Sequence, residues 1–193
     1  LQDNDLKEYT QIIIKEADRM QTLMDKMLGP NKPPNIVALN IHEALERVRQ
    51  LVQAELSHRI IIKRDYDPSI PELKADKNQL IQAFLNIIRN ASQAIVDTGE
   101  ITLRTRIHRN MTIAGKHHKL AARIDIIDNG SGIKPELMNQ IFYPMITGRS
   151  DGTGLGLPIS QSIINQYNGI IECTSTSENT VFSIYLPVGN AND

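Results

Sequence analysis

One cysteine, Cys173, is all the thiol chemistry available in 193 residues. That excludes an internal disulfide and a cysteine-based metal cluster, and leaves Cys173 to be read as a small buried apolar residue. An excess of either charge is also missing: 21 Lys and Arg against 22 Asp and Glu leave a net charge of −1. Without a run of basic residues, nothing draws the chain to nucleic acid or to an anionic membrane. No stretch approaches the roughly 18 consecutive apolar residues of a membrane span, and "LQDNDLKEY" carries no signal-peptide pattern. The expectation is a cytoplasmic protein of ordinary globular class, long enough for one substantial domain with an appendage.

Along the chain, Leu6, Thr10, Ile13, Ala17, Met20, Met24 and Met27 alternate at spacings of four and three, a heptad seam within a helix from Asp5 to Leu28. Gly29-Pro30 stops it, and "GPNKPPN" over residues 29–35 reads as an extended linker. So narrow a seam calls for a partner helix, from another chain or from a segment upstream of Leu1, or for packing back on the chain's own domain. The remainder, 36–190, mixes periods. Asn40 with Glu43, and Asp76 with Gln79, form two capping boxes that open helices, the second running to about Val96. "RIIIKRDY", Glu100 to His108, Leu120 to Asp128, Gly169 to Thr174 and Val181 to Pro187 read as strands. Pro135 to Phe142 and Leu155 to Tyr167 carry helix signals. Without a strict βαβ rhythm, the reading is α+β: a mixed or antiparallel sheet with helices on one face and the other face open to solvent.

Three stretches carry possible chemistry. In "FLNIIRNASQAI", Asn86 and Asn90 stand four apart and project from one helix face. They are either two amides on a polar face or a carboxamide site for a hard cation such as Mg²⁺, which keeps waters and binds substrate phosphates. In "IDIIDNGSGI" a strand delivers Asp128 into a turn with Gly130 and Gly132. This is an ordinary Asp-Asn-Gly turn, or a carboxylate placed to accept from the exocyclic amine of adenine with Ile133 as apolar wall. "SDGTGLGLPIS" feeds a glycine-rich loop into a helix N-terminus, where phosphates bind, yet it matches neither a P-loop nor a dinucleotide fingerprint.

Together these stretches bear a resemblance. "NIIRNASQA" resembles the N box, "DNGSGI" the first glycine box, "IFYPM" the F box and "GTGLGL" the second glycine box of sensor histidine kinase catalytic domains, which share the GHKL (Bergerat) ATP-binding fold. "RDYDPSIPEL", "MTIAGKHHKLAARIDIIDNG" and "FYPMITGRSDGTGLGL" are similar to nitrogen-regulation sensor kinases of the NtrB type over nearly the whole chain. The resemblance implies ATP and Mg²⁺ as cofactors. Asn90 would ligate the metal, Asn86 would support it, and Asp128 would receive the adenine amine. Gly130, Gly132 and Ile133 would line the base pocket with Thr180 near the base. Residues 134–151 would form a lid, and Gly152, Thr153, Gly154, Leu155 and Gly156 would lie along the phosphates, with Arg149 as a candidate phosphate cation. The implied partners are an NtrC-like response regulator, a PII-like signal protein, and a second copy through helix 5–28 and the hairpin it would complete.

Three departures bear on activity. Gln93 stands where many such kinases carry a basic residue, and Pro158 falls in the first turn of its helix, where proline is tolerated. No histidine precedes His42, so the phosphoacceptor of an H box is expected to be absent. His42, His58, His108, His117 and His118 read as surface residues. Two rival functions remain: a GHKL ATPase, which would need an N-box glutamate as general base where Asn86 stands, and a nucleotide-sensing docking module for a PII-like protein.

Overall fold

The computed structural model describes residues 33–56, 59–148 and 152–188, together with Thr10 and Ile14. The chain divides into two compact units, Leu1–Pro33 and Pro34–Asp193. The expected seam helix, His58, Arg149 and the end of the expected lid lie outside the described residues. The second unit runs β1 (Val37–Leu39), α1 (Ile41–Glu55), β2 (Ile60–Asp65), β3 (Leu73–Ala75), α2 (Lys77–Ala94), β4 (Gly99–Ile113), β5 (Lys116–Asp128), α3 (Pro135–Met138), α4 (Gly156–Gln166), β6 (Ile170–Ser175) and β7 (Thr180–Pro187).

Five strands form one mixed sheet in the order β2-β4-β5-β7-β6. β2 lies parallel to β4, and the other neighbours are antiparallel. The mixed α+β reading is thereby met. β1 and β3, three residues each, pair antiparallel as a separate ribbon that the sequence reading missed. Alternation then divides the sheet. Leu103, Ile124, Ile126 and Ile184 join one core with Leu45 and Val48 of α1 and Phe84, Ile87 and Ile88 of α2. Those α2 residues recur at spacings of three and four, which turns a single stripe of the helix to the sheet. Away from the helices, charged side chains cross between strands. Arg104 and Arg106 both reach Asp65, at 2.7 and 2.8 Å, and Asp125 accepts from Ser183 of β7 at 2.7 Å while holding Arg123 of its own strand at 2.8 Å.

Several local expectations change. Asn40 caps α1 by accepting from the His42 amide at 3.0 Å, but Glu43 pairs with Lys77 instead of reaching back. Asp76 caps α2 through the Asn78 and Gln79 amides, while the Gln79 side chain accepts from the Tyr167 hydroxyl. The helix expected over Pro135–Phe142 ends at Met138. Beyond it Gln140 bonds Leu137 and Tyr143 bonds Gln140, successive three-residue turns in place of an α ladder. β4 and β5 run longer than expected because Ala114 and Gly115, at φ +48° and +79°, close them as a two-residue hairpin with both turn residues left-handed.

Not all the histidines lie on the surface. His42 Nε2 meets the Thr105 hydroxyl at 2.9 Å and its ring stacks on Tyr66 at 4.8 Å. Desolvation lowers its pKa, opposed by the negative charges of Asp67 and Glu46. His108 meets Tyr185 edge-on at 5.8 Å, and His118 is half-buried, whereas His117 is exposed. Cys173 is half-buried, and burial pushes its thiol up to about 12.

Candidate nucleotide site

A cavity of about 680 Å³ opens where α2, the ends of β5 and β7 and the start of α4 converge. Its size falls in the range of small-molecule sites. Asn86 and Asn90 lie off the apolar stripe of α2, and both line it. The Asn86 amide donates to the Gly156 carbonyl at 3.2 Å, tying α2 to the first turn of α4. The Asn90 side chain makes no hydrogen bond among the described residues, so its carboxamide is free to meet what enters.

Asp128 ends β5 at the cavity wall, directly across from Thr180, the first residue of β7. Its residue is 1 % exposed. One carboxylate oxygen accepts the Gly130 amide at 2.9 Å, and no cation pairs with it among the described residues. Burial therefore raises its pKa, with the Gly130 amide pulling the other way. The turn after it is fixed from behind: the Ser131 amide donates to the Ala94 carbonyl at 3.0 Å, and the Ile133 amide to Ser175 Oγ at 2.9 Å. Gly130 does not line the cavity. A Cβ there would stand 2.7 Å from Ala94 Cβ, so its glycine serves packing against the end of α2. Gly132 does line it, at φ +76°, with Ile133 beside it.

The second glycine stretch forms the other end. α4 begins at Gly156 behind Leu155, and no side chain caps it. Its first backbone N–H groups are left for a ligand, and the helix dipole favours an anion there. Gly152, Thr153, Gly154 and Gly156 line the cavity, whereas Leu155, 2 % exposed, turns into the core. Gly154 sits at φ +64° and accepts from the Met145 amide at 3.1 Å; a Cβ on it would strike the Met145 and Ile146 backbone at 2.7–2.8 Å. Its glycine thus joins the loop to the segment after α3. Pro158 is the third residue of α4, where its missing N–H would have had no partner.

The structure therefore brings together Asn86, Asn90, Asp128, Gly132, Ile133, Thr180 and the loop of Gly152 to Gly156, and leaves Gly130 and the Leu155 side chain behind the wall. Sequence reasoning missed Ser175, Ser160 and the lining cation Arg89, and named Lys134 only as the start of the lid. Ser160 Oγ lies 3.0 Å from both the Ala83 and Gly156 carbonyls, so its one proton serves α2 and α4 alike. A serine in a strand or helix gives no sequence signal that it bridges elements.

The arrangement offers a buried acceptor in an apolar recess at one end and free N–H donors at the other. Among the described residues no group of three or more His, Cys, Asp or Glu is placed to hold a metal, and no helix is long and apolar enough to cross a membrane. Residues 75–190 match the model of the histidine kinase-, DNA gyrase B-, and HSP90-like ATPase family. The chain is 52 % identical over 190 residues to the sensory histidine kinase/phosphatase NtrB of Vibrio alginolyticus, covering 97 % of this chain and 54 % of that protein. It spans about half the length of the curated relatives it matches. The nucleotide-free catalytic domain of the histidine kinase ThkA superposes with a TM-score of 0.66 at 25 % identity, over 79 % of this chain and 95 % of that one. ThkA in complex with the response regulator TrrA gives 0.68 at 23 % identity, over all of this chain and 54 % of that one.

Proposed function

The chain belongs to the histidine kinase-, DNA gyrase B-, and HSP90-like ATPase family, and from that premise we propose that it is the ATP-binding catalytic part of an NtrB-type sensor histidine kinase. Its reaction is transfer of the ATP γ-phosphoryl group to an H-box histidine on a dimeric hairpin, and from there to an NtrC-like response regulator. The observation that carries this reading is the pairing, in one cavity, of a buried carboxylate acceptor at Asp128 with the uncapped N-terminus of α4. The first suits the adenine amine and the second the phosphates.

The donor set fits Mg²⁺ as well as ATP. With no carboxylate or imidazole cluster among the described residues, a hard cation would take the Asn90 amide oxygen and fill its remaining positions with phosphate oxygens and water. Bound there, Mg²⁺ neutralises charge on the phosphates. Asn86 supports this by fixing α4 relative to α2, and Lys134 and Arg149 are the candidate cations for the phosphates, since Arg89 is held by Glu55. Hydrolysis is disfavoured, because an amide at residue 86 cannot take a proton from water and already donates to Gly156. The work of the chain is then positioning and electrostatics, while the attacking nitrogen comes from the hairpin. Residues 1–28 would be the second helix of that hairpin and the contact to a second copy, residues 29–35 a linker, and residues 36–190 the catalytic domain. A PII-like protein is the regulator and the cytoplasm the setting.

Calorimetric titration with ATP tests the site. Wild type should bind more tightly with Mg²⁺ than without, Asn90→Ala should lose that metal-dependent gain, and metal-free affinity should stay near wild type. Equal loss with and without metal would refute the role of Asn90.

A further inference from the structure

The two groups that would meet a metal-bound triphosphate come from two different helices, so the separation of those helices decides whether both can act on one ligand. Asn90 belongs to α2, and the anion donors belong to the first turn of α4. In that turn Pro158 has no N–H, and the Ile159 amide donates to the Leu155 carbonyl at 3.1 Å. The Gly156 and Leu157 amides are left without a partner among the described residues. The helices run close at this point. A Cβ on Gly156 would stand 3.6 Å from Asn86 Cβ and 4.0 Å from Asn90 Nδ2.

Two side-chain hydrogen bonds cross between the helices here, one given by each. Asn86 Nδ2 of α2 donates to the Gly156 carbonyl of α4 at 3.2 Å, and Ser160 Oγ of α4 donates to the Ala83 carbonyl of α2 at 3.0 Å. Their direction is fixed, because a backbone carbonyl can only accept. Ser160 Oγ also lies 3.0 Å from the Gly156 carbonyl, the usual bond of a helical serine to the residue four before it. Its proton is thus shared between a carbonyl of each helix. Ser160 is fully buried, so water does not stand in for it. It sits about one turn beyond Gly156, and Ala83 sits about two turns before Asn90 on the same side of α2. The hydroxyl therefore ties the start of α4 to the side of α2 that carries Asn90.

We propose that Ser160 is a positioning residue for Mg²⁺-dependent ATP binding, whose hydroxyl sets the spacing between the Asn90 carboxamide and the free amides of α4. This rests on the reading of the cavity as a site for ATP with Mg²⁺. Mg²⁺ demands near-ideal octahedral geometry and tolerates little error in ligand distance. A cation on Asn90 can share phosphate oxygens with the α4 amides only while the two helices keep their separation. Ser160 is not among the residues that line the cavity, so it acts through helix placement. Without it, the side-chain tie between the helices at this turn is the Asn86 bond alone.

The test is displacement of a fluorescent ATP analogue from the 193-residue chain by adenosine, by ATP in metal-free buffer and by ATP with Mg²⁺, in wild type and Ser160→Ala. Alanine keeps the helix and removes only the hydroxyl. The ratio of ATP affinity with Mg²⁺ to that without should fall about three- to tenfold, the worth of one neutral hydrogen bond. Adenosine and metal-free ATP should stay within about twofold of wild type. A general loosening of the domain would weaken all three ligands by one factor and leave the ratio unmoved, and that result would overturn the inference while leaving the nucleotide site standing. An unchanged ratio with every affinity intact would overturn it too. So would a melting curve that shows no folded state in the variant, since the serine would then belong to the fold itself. A wild type whose ATP affinity is the same with and without Mg²⁺ would overturn the metal role of Asn90 and this inference with it.

Discussion

Replacing Asp128 by asparagine should move stability and binding in opposite directions. In the free chain the residue is 1 % exposed, and among the described residues the carboxylate accepts a single amide hydrogen bond, from Gly130, and has no cation beside it. An ionised group in that position costs free energy that the fold does not recover locally, which is why its pKa is raised. Asparagine has nearly the same shape, keeps an oxygen for the Gly130 amide and carries no charge. Asp128→Asn should therefore stabilise the nucleotide-free chain by about 1–2 kcal/mol near pH 8, raising Tm by roughly 2–8 °C for a unit of this size. With ATP the sign reverses. The amide turns a donor toward the adenine amine, so a charge-assisted hydrogen bond worth about 1.5–3 kcal/mol is lost, weakening ATP by roughly 10- to 150-fold. Wild type in ATP at about 100 times its Kd gains about 2.7 kcal/mol of stability, and the variant at the same concentration should gain about 0.3–1.4 kcal/mol, at most about half of that. Thermal unfolding with and without ATP reads both effects. A variant less stable than wild type without nucleotide would refute the reasoning, since it would mean that the carboxylate is structurally satisfied and not held for a ligand.

Two further predictions probe the frame around the site. Gly130→Ala drives a Cβ to 2.7 Å from Ala94 Cβ and should cost about 1–3 kcal/mol in denaturant unfolding. In Gly156→Ala the new atom meets only ordinary contacts, 3.6 Å from Asn86 Cβ, so ATP affinity should fall more than stability does; the opposite pattern would reverse the two roles. His42 supplies a pH dependence. Its folded pKa is depressed, mainly by burial, so the unfolded chain binds more protons. Its contribution is complete above the unfolded value of about 6.5 and is lost as pH falls below it toward the folded pKa. Unfolding free energy followed downward through that window should decline in wild type and decline less in His42→Gln, and parallel curves would exclude His42 as the source.

The parts of the site legible in the sequence were those where chemistry demands a residue type at a fixed spacing. Asn86 and Asn90 stand out because amides interrupt an apolar helix face, and Asp128 because a carboxylate ends a strand at two glycines. What stayed hidden depends on partners distant in sequence. Gly154 must be glycine because the Met145 backbone approaches it, and Gly130 because α2 ends against it. Likewise Thr105, 63 residues from His42, converts an apparent surface histidine into a packed one. Ser175 acts on Ile133 across 42 residues, and no local pattern announces such a bridge. The short ribbon of β1 and β3 was missed because three residues carry too little alternation to register as a strand. The turns after Met138 read as helix because Ile141 and Phe142 continue an apolar spacing, although the backbone there closes three-residue turns.

The most direct test of the central claim is phosphoryl transfer in trans. The 193-residue chain is incubated with γ-labelled ATP and Mg²⁺, alone and with a separately prepared dimerisation hairpin that bears the H-box histidine. The account predicts no label on the chain itself and slow, acid-labile labelling of the added hairpin, slow because the high local concentration given by a covalent linker is lost. Asn90→Ala should abolish it. Acid-labile label on the chain alone would contradict the account, and so would release of labelled inorganic phosphate while the hairpin stays unlabelled.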